Sequence, residues 1–238
     1  EDAGGVSVIS GLTDVTMDAT NFADSILIQP NSDGSAPTTG TLSSASDNIG
    51  IGNAVFTALT SGTLNVSFGK NAGKALTTGD RNVFIGNLAG EAATTCEMAV
   101  LIGDGCGKAM TDEDGNVVIG DGSGAGSWNG AHSCVLVGQS SGANITSGNY
   151  NTGFGNQTLR DVTTGTWNVG VGQGAGDGLN TGGHNICIGR AANRQGAGSD
   201  NNISIGNYAM GARTDDDAEN CTAVGHGALG AVTSGDYN

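Results

Sequence analysis

Three flat side chains, Tyr150, Trp167 and His184, stand 17 residues apart, and Tyr237 restarts the series near the end of the chain. If the spacing marks a stack of β-strands, these rings sit about 4.8 Å apart along one edge. Rings so placed either stack on one another, at roughly 0.2–1 kcal/mol per pair, or present their faces to sugars. Tyr150, Trp167 and His184 are therefore the glycan-contact candidates, with Arg81 and Asn201 as polar neighbours in the same column.

Other groupings promise less chemistry. His132, His184 and His226 fall at three different repeat positions and show no paired-ligand spacing. Asp112–Gly115 and Asp215–Asp217 are acidic turns without the distal glutamate of a calcium loop, and read as solvated turns. Gly120–Gly126 has neither the lysine nor the helix of a phosphate loop. No column repeats the facing carboxylates of a glycosidase. We expect no catalytic residue, metal or cofactor. The Thr-Thr and Thr-Ser pairs before glycine, as at Thr77–Gly79, invite comparison with ice-binding arrays, but adjacent residues point to opposite sides and read better as a turn ladder.

What positions the rings is a repeat. Gly52, Gly69, Gly86, Gly103, Gly120, Gly138, Gly155, Gly172, Gly189, Gly206 and Gly225 follow one another at 17 residues, with one interval of 18 and one of 19. A short fixed period is the signature of a solenoid. Numbering positions from each glycine, −1 and −3 carry Ile, Val, Phe or Thr, for example Ile85 and Val83. Position +3 is small (Ala72, Cys106, Ser141), +7 is aliphatic (Leu76, Met110, Val232), and a Thr/Gly turn follows. With 44 glycines and no apolar period near 3.6, helices are excluded. The expected fold is an all-β parallel β-solenoid, or β-roll, of eleven 17-residue coils over residues 47–238, about 53 Å long at one strand spacing per coil. Residues 1–46 lack the register and read as a cap or junction, with Ser25–Ile28 as an irregular first rung and Pro30–Pro37 bulging out.

Positions −1 and −3 share a strand face and are read as the core. Position −2, on the opposite face, is also uncharged throughout and strongly apolar at Phe84, Leu101, Val118 and Leu136. A sheet apolar on both faces is normally covered on both, so these four are expected to form an oligomer interface, with a homotrimer as the assembly. Position −4 is asparagine in eight rungs, Asn48 to Asn202, and reads as an amide ladder.

The unit Asn-x-Val-x-Ile-Gly, as at Asn82–Gly86, Asn116–Gly120 and Asn185–Gly189, resembles the head repeats of YadA-like trimeric autotransporter adhesins. The Gly/Thr-rich run Gly148–Gly155 with its turn Thr163–Gly165 is similar to repeats of tailed-phage fibres. The resemblance implies a trimer of left-handed parallel β-rolls in a structural or adhesive fibre. The expectation is a phage tail fibre or spike on the virion that attaches to host surface polysaccharide; the alternative is the head of a bacterial cell-surface adhesin. The 17-residue coil is longer than the adhesin unit.

Twenty-three acids against eight bases give a net charge of −15, which argues against nucleic acid or anionic lipid as partner. No stretch suggests membrane insertion. Gly235–Asn238 repeats the lead-in Gly148–Asn151, so the coils are expected to continue beyond residue 238. The five cysteines, Cys96, Cys106, Cys134, Cys187 and Cys221, form no paired framework. They read as buried thiols, which suits assembly in a reducing compartment.

Overall fold

The computed structural model describes residues 15–30, 36–211 and 218–230. Asp215–Asp217, Val232 and the restart at Gly235–Asn238 lie outside them. The described chain is a parallel β-solenoid without helices. It opens with an antiparallel hairpin, β1 (Val15–Ala19) and β2 (Phe22–Ile28), and a two-residue strand, β3 (Ala45–Ser46), beside β2. Eleven three-residue strands follow, from β4 (Ile49–Ile51) to β14 (Thr222–Val224), stacked in chain order. Register is strict: Val83 pairs with Val100, Phe84 with Leu101 and Ile85 with Ile102. β2 serves as the first rung, with Ile26, Leu27 and Ile28 opposite Ile49, Gly50 and Ile51. β1 covers the outer edge of that rung, which would otherwise stay open to pairing. Gln29 bonds both the backbone N–H and C=O of Thr38, at 2.7 and 2.8 Å; most of the expected Pro30–Pro37 bulge lies outside the described residues.

The rung glycine is dictated by backbone contact. At Gly103, φ is +140° and a Cβ would come within 2.4 Å of the Gly120 carbonyl oxygen in the next rung. No side chain can stand there without separating the coils.

The two faces of the strand are the reverse of the sequence expectation. Phe84, Leu101, Val118 and Leu136 are fully buried inside a single chain, so they are core and not an oligomer interface. Positions −1 and −3 point outward; Ile49, Phe68 and Phe154 expose 45%, 54% and 45% of their surface. The coil is narrow, and one strand residue per rung suffices to fill it. That residue faces the buried small column at +3 and the buried aliphatic column at +7, such as Ala89 and Leu76. Inside, position −2 and position +4 share a limited volume. Where −2 is large, +4 is glycine: a Cβ on Gly107 would come within 2.9 Å of Leu101, and one on Gly142 within 2.5 Å of Leu136. Where −2 is Gly50, the space is taken by Phe56, 2.8 Å from where a Cβ would be.

The asparagine ladder runs through this interior. Asn65 donates Nδ2 to Asn48 Oδ1 at 3.0 Å and to the Gly79 carbonyl at 2.9 Å, and its Oδ1 accepts the Asn82 N–H at 3.0 Å. Asn151, Asn168 and Asn185 repeat the pattern. Buried amides so bonded leave no polar atom unmatched. At the turn, Thr60, Thr77 and Thr94 each donate Oγ1 to the carbonyl 17 residues on, at 3.1, 3.0 and 3.0 Å. In the 18-residue rung, Trp128 turns in to fill the aliphatic position and donates its indole N–H to the Gly124 carbonyl.

Glu113, expected in a solvated turn, is instead buried. Its carboxylate accepts the backbone N–H groups of Thr111, Asp112 and Gly130 at 2.7, 3.2 and 3.2 Å.

Candidate functional site

The aromatic series occupies position −5, where the chain turns a corner in the left-handed region: φ is 58°, 60° and 58° at Tyr150, Trp167 and His184. This corner lies outside the coil, and its backbone is held by rung-to-rung bonds such as Trp167 N–H to Asn149 C=O at 3.1 Å. Tyr150 and Trp167 stack with centroids 4.1 Å apart and planes 17° apart; Trp167 and His184 lie 6.4 Å apart at 10°. The first pair is closer than the strand spacing and the second wider, yet the three rings form one exposed, near-parallel ladder. Of the two polar neighbours proposed from sequence, Asn201 follows His184 in the next rung. Arg81 does not join them: Met98, Gly115 and Ser133 intervene in the column, and Arg81 pairs with Glu97 at 2.7 Å.

At the other end of the same strands, beyond the rung glycine, lies a cleft that sequence reasoning did not find. Gln157, Gln173, Asp177, Arg190, Arg194 and Tyr208 line about 100 Å³ of space. Arg160, Asp177 and Arg194 occupy position +5 in three successive rungs, so charges of alternating sign stack. Arg160 Nε lies 3.1 Å from Asp177 Oδ1, off the line of a hydrogen bond, and Arg194 Nε lies 3.9 Å from Oδ2. The Asp177 side chain is only 7% exposed. Burial pushes its carboxyl above the ordinary value, against the pull of Arg160. Arg190 sits over the Tyr208 ring at 5.1 Å, a cation–π contact that holds its guanidinium at the cleft wall.

The ladder and the cleft bracket the exposed strand face. Positions −1 and −3 of the eleven strands hold Ile, Val, Phe and Thr alone, a charge-free apolar strip along the whole stack. All five cysteines are buried and none is in a disulfide. Burial pushes Cys96 and Cys106 up to about 12 and Cys134 to about 11, far from nucleophilic use. Among the described residues no group of His, Cys, Asp and Glu is placed to hold a metal ion, and no helix is long and apolar enough to cross a membrane. No family model, curated protein or solved structure matches the chain.

Proposed function

We propose that the chain is a segment of a homotrimeric fibre, a phage tail fibre or spike akin to the YadA-like β-rolls, that holds a virion to polysaccharide on its host. The observation that carries this reading is the outward apolar strip. A chain of net charge −15 leaves two β-branched or aromatic columns uncharged over eleven strands, a surface of the kind that marks an interaction site. A copy of the same strip is the partner that matches it in length, flatness and lack of charge, and rotation about an axis along the rod brings such strips together. The trimer contact moves accordingly from position −2 to positions −1 and −3. Buried cysteines outside any disulfide support assembly in a reducing cytosol over oxidative export, which favours the virion over the bacterial surface. Tyr150, Trp167 and His184 remain exposed beside the strip as the sugar-contacting ladder.

Sedimentation equilibrium tests the assembly. Wild type is expected at three chain masses; Ile188→Asp, at the outward face, should give folded monomers, because a carboxylate would enter a dry contact. A wild-type monomer with the full β-sheet circular dichroism signal would overturn the trimer.

A further inference from the structure

The aromatic ladder and the arginine cleft occupy the same level of the rod. The ladder spans the rungs of Gly155, Gly172 and Gly189, and the cleft draws Gln157, Gln173, Arg190 and Tyr208 from those rungs and the next. They lie at opposite ends of the strands, the ladder before each strand and the cleft after it. Within one chain the apolar strip separates them.

Strands here run across the rod. Any rotation about an axis along the rod therefore sends them round that axis in one sense, head to tail. The end of a strand in one copy then meets the beginning of the strand at the same level in its neighbour. We infer that the cleft of one copy and the ladder of the adjacent copy form a single composite groove for a polysaccharide carrying regularly spaced anionic groups. The inference rests on the outward strip being the contact between copies.

Charge placement identifies the ligand class. At position −6, beside the ladder column, carboxylates occur at Asp80, Glu97 and Asp114 and return at Asp200, but the four rungs between have His132, Asn149, Thr166 and Gly183. At position +1, Asp104 and Asp121 give way to Gln139, Asn156, Gln173 and Arg190. Both rims thus lose their carboxylates at the level of the rings, in a chain that is acidic elsewhere. Around the cleft the guanidiniums of Arg160, Arg190 and Arg194 outnumber the carboxylates of Asp161 and Asp177. Tyr150 and Trp167 turn their faces to each other, so the sugars run along the exposed ring edges of the ladder, while a carboxylate or sulfate meets Arg190 and Arg194 through charge-assisted hydrogen bonds.

The test uses alginate (carboxylate), dextran sulfate and neutral dextran with wild type, Trp167→Ala and Arg190→Gln, each also sedimented. Wild-type oligomers should bind alginate or dextran sulfate, and which one names the anion; dextran should bind at least tenfold more weakly. Either variant alone should stay oligomeric and lose tenfold or more. Refolding the two variants together should restore binding at about a quarter of the boundaries, where an intact ladder meets an intact cleft. Oligomeric wild type that binds neither anionic polymer, or binds dextran equally, overturns the inference while leaving the trimer standing. So does a mixture no better than its parents, since a site within one chain cannot be complemented. A monomer that binds alginate overturns both.

Discussion

Two stretches of one solenoid divide their bulk differently. In the rungs of Gly86 to Gly138, large side chains fill the inside at Phe84, Leu101, Val118 and Leu136, and belong to one continuous buried cluster that runs from Phe22 to Ile145. In the rungs of Gly155 to Gly206, the same position holds Gly153, Gly170, Cys187 and Ser204, and the core breaks into smaller clusters. There the large groups stand outside, as Tyr150, Trp167, His184, Arg190 and Tyr208. The contrast recurs in charge. Lys74, Glu91 and Lys108 make the same alternating series at position +5 as Arg160, Asp177 and Arg194. Yet Glu91 is 3.8 Å from Lys108 and a quarter exposed, whereas Asp177 is enclosed. One coil geometry therefore supports either a rung that packs its bulk inside or one that displays it outside, according to which side of the wall carries the volume.

Substitution should separate these roles. Leu101→Ala removes a fully buried side chain from the continuous core and is expected to cost about 2–5 kcal/mol in denaturant unfolding. A loss below about 1 kcal/mol would mean the first stretch is not where stability resides. In the second stretch Asn193 is buried with neither amide atom hydrogen-bonded. Asn193→Met, which copies Met210 at the same position of the next rung, should stabilise by about 1–3 kcal/mol; a lower melting temperature would show that the amide has a role in the fold. Trp167→Ala should cost only about 0.2–1 kcal/mol, the value of exposed stacking, so a collapse of the melting temperature would make the ladder structural. Smallest is a pH effect. The native carboxyl of Asp177 lies above its unfolded value, so its stabilising contribution is fully present below the unfolded pKa and is lost as pH rises through the native one. The melting temperature of wild type relative to Asp177→Asn should therefore rise on acidification from neutral pH; a constant difference would mean the carboxyl is not desolvated.

The solenoid was legible because each rung contact repeats at one interval, so glycine, strand and turn all appear as columns. The faces were misread because hydrophobicity does not distinguish two apolar sides of a strand. Two signals would have corrected it. Asn82 and Phe84 are two residues apart, so the buried amide ladder and position −2 must share a face. Every large residue at −2 also meets glycine at +4, as Leu101 meets Gly107, and Phe56 at +4 meets Gly50 at −2, the pattern of two columns competing for one space. The ring ladder was visible as three flat residues in register. Of the cleft, the alternating charges were visible in the sequence; the enclosure of Asp177 was not, because it depends on side chains from four rungs closing over one point.

The buried asparagine bonds, the glycine approach and the strand pairing all link a residue to its counterpart one coil away. Excising Asn87–Gly103, one whole coil, would rejoin Gly86 to Asp104 with equivalent neighbours throughout. Removing one residue fewer would leave a surplus residue for the turn to absorb, as the 18-residue interval between Gly120 and Gly138 does while its strands stay in register. The rod thus behaves as a ruler graduated in divisions of about 4.8 Å, able to lengthen or shorten only by whole divisions while the distance it measures out stays rigid.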